Sequence, residues 1–291
     1  MQETKGLGLI QSPVDKRDIL MSSILPLFTI PQEFEAKDLT PVRDQGPEGT
    51  CVGFACAVGM KEWQEKKEHH TSIELSPRYL YEKSKAVDPF PDNNPRFANG
   101  DGISIRTAMD ILRGQGVCEE RFWSYTACEP GAPQAGADTS AMNYRIKAYA
   151  KLDTLETMKR SLIVNGPFVI GVTVYENWGD SEVRNTGEIP MPNGRVMGGH
   201  ALCVVGYNDN TQLFKFKNSW SERWGDKGFG YLPYEYTRVD SQFEAYSATD
   251  LIENVDALIN AREKILKQLD EDFKEEAKSD HWDGEMVIKY H

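Results

Sequence analysis

The chain has 291 residues, of which 40% are hydrophobic and 27% charged. This is an ordinary globular composition, near the largest size that one hydrophobic core organises. The formal net charge of −12 argues against general nucleic-acid binding, which depends largely on lysine and arginine neutralising phosphates. No apolar run approaches the roughly 20 residues that span a bilayer. We expect a cytoplasmic protein, and secretion by a signal absent from this numbering stays open.

The five cysteines are an odd number, so at least one thiol is unpaired within the chain. Cys118 and Cys128 are close enough in sequence to form a disulfide, but sequence does not establish the required geometry. Buried or free thiols are an equally good interpretation.

After a mixed leader over residues 1–30, the N-terminal half is predicted to be mostly helical. Pro77 suits a first helical position, and glycines at 114 and 116 suit a helix end. Proline-rich and glycine-rich stretches predict loops. In chain order, the predicted elements are helices over 51–68, from 77 onwards and over 104–113, with loops over 88–95 and 126–140.

The pattern changes from residue 144, where β-branched and alternating runs predict strands. Asn208, Asp209 and Asn210 form a turn signal between the last two runs, which predicts a hairpin. A helical half followed by a β-rich half predicts an α+β protein with two lobes. The elements are a helix over 154–164 and strands over 168–174, 201–207 and 213–217.

Residues 250–279 have the spacing of a charged amphipathic helix. We favour packing of its apolar stripe against the body of the protein, with a partner surface as the alternative. The sequence leaves the oligomeric state and the role of this tail, over residues 250–291, undetermined.

The segment from residue 41 to residue 55 carries the most information. A glycine-rich turn delivers Cys51 to the start of the first predicted helix. Backbone N–H groups and the helix dipole favour negative charge there, and a nearby imidazolium lowers the pKa of a thiol. Gln45, six residues earlier, carries an amide that can donate to an oxyanion. Alone, this pattern also fits a buried cysteine after a glycine turn.

A base for this thiol lies 149 residues later. His200 is at the head of one predicted strand, and Asn218 is at the end of the next. Because a hairpin brings the start of one strand near the end of its partner, these side chains can be neighbours. An asparagine oxygen that accepts from one ring nitrogen leaves the other nitrogen for the sulfur. The sequence therefore predicts nucleophilic catalysis by Cys51, His200 and Asn218.

Three motifs in this order resemble those of the papain family of cysteine peptidases. Residues 45–51 are similar to its glutamine-to-cysteine motif, residues 199–207 to its histidine motif, and residues 218–229 to its asparagine motif. In this family the histidine and asparagine follow the cysteine by about 130–150 residues. His200 fits this spacing, and Asn218, 167 residues after Cys51, lies slightly beyond it. The resemblance covers roughly residues 31–240.

The resemblance implies a papain-like α+β fold with a helical N-terminal lobe, a β-rich C-terminal lobe and a cleft between them. It implies a cysteine-type peptidase that hydrolyses peptide bonds through a thioacyl-enzyme on Cys51, with His200 as base and then acid. Gln45 and the Cys51 backbone N–H would form the oxyanion hole. Trp220 would shield the bond between His200 and Asn218 from water.

Further positions resemble the substrate-binding parts of this family. Asp101, Gly102 and Ile103 look like the edge segment that hydrogen-bonds the substrate backbone, and Gly199 and Trp220 also lie beside the implied cleft. The implied partner is a peptide or protein substrate. The resemblance requires no metal and no organic cofactor.

The departures from the family pattern are informative. Glu48 stands where many members have a disulfide cysteine, Val52-Gly53 replaces the usual tryptophan-alanine, and Ser221 stands where glycine is common. None of these changes removes a catalytic group. The missing bridge favours a reducing compartment, or a bacterial, archaeal or viral-type relative.

The predicted organisation is a leader over 1–30, a peptidase domain over 31–249 and a tail over 250–291. The leader either lies across the cleft and inhibits, or packs on the surface. Two alternatives to a peptidase stay open: an acyl transferase or amidase with the same triad, and a non-catalytic module that binds peptides.

Overall fold

The structure is a computed structural model. It describes residues 5–16, 18–25, 28–87 and 102–249, together with positions 260, 263, 264, 267 and 271. The loop predicted over 88–95 lies outside these residues, and so does the tail helix predicted over 250–279, apart from the five isolated positions.

The helix that begins at Cys51 confirms the prediction for this segment. It runs without a break through α1 (Cys51–Gly53), a π-helical stretch (Phe54–Lys61) and α2 (Glu62–His69). His70 ends the helix in the left-handed conformation, with φ of 53°. Residues of the first turns are buried and those of the last turn are solvated. The nucleophile candidate is thus the first residue of a helix packed into the core.

Two further predicted helices are confirmed, α3 (Pro77–Val87) and α4 (Ile105–Gly114). The side chain of Ser104 caps α4 by accepting a hydrogen bond from the backbone N–H of Thr107. The loop predicted over 126–140 is wrong at its end, because residues 137–140 belong to α5 (Ala137–Ala141). Alanine favours helix, and Gly136 ahead of it adopts the left-handed conformation.

The C-terminal half contains α6 (Leu155–Asn165), two short helices and most of the sheet. The helix predicted over 154–164 is confirmed, and Thr154 caps it within a capping box that Thr157 completes. The short helices are α7 (Ser181–Thr186) and α8 (Tyr236–Val239).

A seven-stranded antiparallel sheet organises this half. The strands are β1 (Glu33–Glu35), β2 (Ala148–Lys151), β3 (Phe168–Tyr175), β4 (Val196–Asn208), β5 (Leu213–Lys217), β6 (Phe229–Pro233) and β7 (Glu244–Thr249). Their order is β2-β7-β3-β4-β5-β6, with β1 added to β4. The hairpin of β4 and β5 is confirmed. The predicted start of β4 is wrong, because it begins at Val196 and places His200 inside the strand rather than at its head.

The sheet separates two hydrophobic clusters. Alternate residues of β3 face opposite sides, so Val169 packs with the helices α1, α3 and α4, whereas Phe168 and Ile170 pack with α6 and the tryptophans Trp178 and Trp220. This arrangement places the N-terminus of α1 against β4, where Cys51 and His200 lie.

Candidate active site

The sequence prediction that His200 and Asn218 are neighbours is confirmed. His200 Nε2 lies 2.9 Å from Asn218 Oδ1, because His200 on β4 stands next to the end of β5. The His200 ring stacks on Trp220, with 4.4 Å between ring centroids and 21° between their planes. In the described part of the chain, His200 Nδ1 has no hydrogen-bond partner. The asparagine therefore leaves this second nitrogen for a proton transfer.

The thiol of Cys51 is fully buried next to the backbone of Ala201, the residue that follows this histidine. Burial raises its pKa to about 11, although nearby backbone groups of Ala201, Gly8 and Val52 act to lower it. Burial lowers the pKa of His200 to about 4, against the hydrogen bond with Asn218, which acts to raise it. Both groups are thus uncharged at neutral pH in this closed state.

Gln45, the predicted oxyanion donor, has its side-chain amide held by three hydrogen bonds. Its Nε2 donates to the carbonyl oxygens of Gly6, at 3.1 Å, and Glu48, at 2.8 Å. Its Oε1 accepts from the hydroxyl of Ser219 at 2.5 Å, which fixes the direction of the amide. The first of these donations shows that part of the leader occupies the site.

Residues 6–10 of the leader lie along the cleft and pair with both of its walls. The backbone N–H of Leu9 donates to Gly199 O at 3.1 Å, and that of Ile10 donates to Ile103 O at 3.1 Å. Ile103 N in turn donates to Gly8 O at 3.0 Å, which makes the pairing parallel. Ile103, predicted to bind substrate backbone, and Gly199, predicted to lie beside the substrate, thus both bind leader backbone.

Close packing of this segment depends on two glycines. A Cβ atom at Gly8 would lie 1.8 Å from Gly49 O, and one at Gly6 would lie 1.9 Å from Glu48 O. No side chain fits at either position without moving the leader. Neither glycine stands out in the sequence, since a glycine in a mixed segment carries no sign of which backbone approaches it.

The remaining predicted substrate-binding residues are Gly102, Asp101 and Trp220. Gly102 is in the cleft wall, with its N–H donating to the hydroxyl of Tyr81 at 3.2 Å. Asp101 lies outside the described residues. Trp220 borders a groove of about 940 Å³ that continues along Trp178, Met197 and Trp224, with Leu7 of the leader at its edge.

Glu48, at the position of the missing family cysteine, forms a buried ion pair that the sequence analysis missed. Its two carboxylate oxygens accept from Arg78 Nη1 at 2.5 Å and Arg78 Nη2 at 2.6 Å. Burial acts to raise the pKa of Glu48, but hydrogen bonds from Arg78 and from the Cys128 backbone outweigh it and lower this pKa. The pair ties the loop before Cys51 to α3.

The cysteines, possible metal ligands and possible membrane-spanning helices complete the description of the site. All five cysteines are free thiols, and Cys128 is the exposed one. Among the residues that the structure describes, no group of three or more histidine, cysteine, aspartate or glutamate side chains is arranged to hold a metal ion. Within the same residues, no helix has both the length and the apolarity needed to cross a bilayer.

Comparison with known proteins defines the class to which this fold and site belong. The model of the papain family of cysteine proteases matches residues 30–248. The chain therefore belongs to the papain family, and it is a cysteine peptidase with the α+β fold of that family.

Individual relatives agree with this assignment. A peptidase C1-like protein of Acanthamoeba polyphaga mimivirus is 28% identical over 263 residues, covering 80% of this chain and 83% of the relative. Cathepsin K of Mus musculus is 27% identical over 197 residues, covering 67% of this chain and 56% of the relative. The chain likewise spans 61% of the length of peptidase 1 of Euroglyphus maynei.

Solved structures share the fold. Xylellain, a cysteine protease from Xylella fastidiosa, superposes with a TM-score of 0.73 at 24% identity, covering 86% of this chain and 98% of that one. Procathepsin L 3 of Tenebrio molitor superposes with a TM-score of 0.60 at 18% identity, covering 85% and 76%.

Proposed function

We propose that Cys51, His200, Asn218 and Gln45 hydrolyse peptide bonds, and that residues 6–10 of the leader block this site in the full chain. The observation that supports the first part is the pairing of His200 Nε2 with Asn218 Oδ1, beside a cysteine at a helix N-terminus. This arrangement leaves Nδ1 of the imidazole to exchange a proton with the sulfur.

The proposed reaction proceeds through a thioester. The sulfur of Cys51 adds to the peptide carbonyl carbon while the thiol proton passes to Nδ1 of His200. Gln45 Nε2 and the Cys51 backbone N–H donate to the resulting oxyanion. The C–N bond then breaks, and the amine leaves with the proton from His200. Water attacks the thioester with His200 as base, which releases the carboxylic acid and restores the thiol.

The proposed block rests on which backbone groups of the leader lie next to Gln45 and Cys51. The carbonyl next to Gln45 belongs to Gly6, whereas the backbone group near the sulfur belongs to Gly8. No single peptide bond therefore has its carbonyl oxygen at Gln45 and its carbon at Cys51. The leader fills the cleft without being positioned for attack.

The full chain carrying Gly8→Ala tests both parts. Because the added methyl group collides with Gly49 O, the leader must shift. We therefore expect hydrolysis of a peptidyl aminocoumarin to rise about tenfold. This rise corresponds to a loss of about 1.4 kcal/mol in the free energy of leader binding. Reaction of Cys51 with an epoxysuccinyl peptide should rise in parallel, with the labelled site mapped by mass spectrometry because Cys128 is also exposed.

Two controls separate the two parts of the proposal. Val14→Ala changes a leader residue that is 95% exposed and should leave both rates unchanged. Cys51→Ala within the Gly8→Ala chain should abolish hydrolysis. Hydrolysis that survives this change would overturn the assignment of the nucleophile, and equal rates for Gly8→Ala and the unaltered chain would overturn the block.

We also propose that the protein acts in a reducing compartment such as the cytoplasm. The five free thiols, and an ion pair where family members have a disulfide, support this location. Thiol titration of protein taken from cells under alkylating conditions tests it, with five reactive thiols after denaturation as the expected result. A lower count would show that a disulfide forms.

A further inference from the structure

The groove beside Trp220 lies on the side of the site from which the amine leaves. The Trp220 ring stacks on His200, which in the proposed reaction gives its proton to the leaving nitrogen. Because an acid must lie within hydrogen-bond reach of the atom it protonates, the chain after the scissile bond enters this groove. The leader agrees with this direction. On either side of Gly8, which lies at the sulfur, Leu9 pairs with the wall before α4 and Leu7 borders the groove.

The carboxylates of this groove are already engaged. Asp44 pairs with Lys5 of the leader at 3.4 Å, and its Oδ1 also accepts from the Gly46 N–H at 2.9 Å, within its own loop. Glu176 Oε1 accepts from Arg195 Nη2 at 2.9 Å. The charged residues that border the groove are Lys5, Asp44, Glu176, Arg184 and Arg223.

Arg184 and Arg223 are the cations that this pairing leaves over. Both are exposed, and in the described part of the chain neither side chain forms an ion pair or a hydrogen bond. Their elements are held together, since the Gly225 N–H donates to Arg184 O at 2.7 Å. The groove is thus a local region of positive charge on a chain with a formal net charge of −12.

Ser221 fixes the turn that carries Arg223. It stands where glycine is common in the family, and its φ of 67° is in the left-handed region, which glycine adopts more easily than serine. Its Oγ accepts a hydrogen bond of 3.2 Å from the backbone N–H of Arg223, which a glycine would not provide. The serine therefore holds Arg223 at the border of the groove.

We propose that Arg184 and Arg223 bind a carboxylate of the leaving half of the substrate. An aspartate or glutamate side chain supplies it, within the first two residues after the scissile bond. The planar fork of a guanidinium matches a carboxylate, and the leader offers these two arginines no acidic partner. The inference rests on the proposed peptidase function and names its substrate class.

Matched peptides test the selection in the full chain carrying Gly8→Ala. Internally quenched peptides with amidated C-termini carry glutamate or glutamine at the first or second position after the scissile bond, and mass spectrometry confirms the cleaved bond. We expect kcat/KM to favour glutamate about fivefold at one of these positions in low salt, because exposed ion pairs are individually weak. Arg184→Gln combined with Arg223→Gln should bring the ratio to about one, and added salt should lower it.

Two further arms define what contradicts the proposal. Arg238→Gln removes a positive charge outside the groove, from a side chain that is 78% exposed, and should leave the ratio unchanged. A ratio near one, or one that the double variant does not alter, rejects the inference and leaves the peptidase function intact. Glutamine peptides that end in a free carboxylate after the second position form the other arm. A gain for these peptides alone would assign the arginines to the chain end and also reject acidic side-chain selection.

A binding measurement does not depend on catalysis. Cys51→Ala within the Gly8→Ala chain is titrated into fluorescein-labelled forms of the same amidated peptides, and fluorescence anisotropy gives Kd. We expect the glutamate peptide to bind about fivefold more tightly than its glutamine counterpart, and this difference to vanish when both arginines are replaced by glutamine. Equal Kd values for the two peptides contradict the inference even if no peptide is cleaved.

Discussion

At the scale of single residues, the closed site holds its reacting groups in their uncharged forms. With a pKa of about 11 for Cys51 and about 4 for His200, a thiolate does not form at neutral pH while the leader excludes water. The same burial keeps Cys51 from reagents. The proposed block implies that chemistry at this cysteine requires the leader to move first, so a variant that changes only a catalytic group is best measured with the leader displaced by Gly8→Ala.

Gln45→Ala should lower kcat by about 100-fold to 1,000-fold in the Gly8→Ala chain, because one oxyanion donor contributes about 2.7–4 kcal/mol to the transition state. The effect on KM should be small, since the amide acts on charge that develops during the reaction. Steady-state kinetics on a peptidyl aminocoumarin measures both parameters. An increase in KM at unchanged kcat would show that Gln45 only binds substrate.

Ser219→Ala is the matched control for this amide. It removes the hydroxyl that donates to Gln45 Oε1 and keeps the Nε2 donor itself. We expect a loss of kcat of about tenfold or less, because a neutral hydrogen bond contributes about 0.5–1.5 kcal/mol. A loss as large as that of Gln45→Ala would mean that orientation of the amide, rather than its presence, limits the rate.

At the scale of elements, the loop before Cys51 depends on the ion pair of Glu48 and Arg78. The Arg78 side chain is 0% exposed and also donates to Thr126 O at 2.8 Å. Sequence patterns predicted the two elements on either side, α1 and α3, but not this link. Helical periodicity shows which face of α3 is buried, whereas the partner of a buried charge is set by a loop that comes from elsewhere in the chain.

Glu48→Ala should lower the free energy of unfolding by about 1.5–3 kcal/mol, because Arg78 loses two charge-assisted hydrogen bonds while Glu82 still accepts from its Nη1 at 3.1 Å. Chemical denaturation measures this change. Glu235→Ala removes a comparable contact to Arg238, whose side chain is 78% exposed, and should change stability by less than about 0.5 kcal/mol. Similar losses in the two variants would show that the buried pair has no special role in holding the loop.

At the scale of the whole molecule, the sequence predicted the α+β class, most helices and strands, and the meeting of His200 with Asn218. For the leader, the sequence left two positions open, one across the cleft and one on the surface. The structure places Gly6, Gly8 and Leu9 in the cleft, more than 30 residues before the peptidase motifs. Such contacts join distant parts of the chain. A single apolar residue such as Leu9, outside any helix or strand, has no sequence periodicity that would predict its burial.

Closure of the leader over Glu244 couples the stability of the molecule to pH. Burial raises the pKa of Glu244 to about 7 from an ordinary value of 4.5, against the hydrogen bonds from Ser12 and the charges of Lys151 and Arg106, which act to lower it. The folded protein thus holds a proton that the unfolded chain releases near pH 4.5. Its stabilising contribution is fully present below pH 4.5 and is lost as pH rises through about 7.

Glu244→Gln should therefore gain stability relative to the unaltered chain as pH rises from 4.5 to 8, by at most about 3–4 kcal/mol. Burial also raises the pKa of Asp18, which pairs with Arg106, but this residue is common to both proteins and cancels in the comparison. Chemical denaturation of the two full chains at a series of pH values measures the difference. A difference that stays constant across this range would show that Glu244 titrates at its ordinary pKa, and that the leader does not seal it from water.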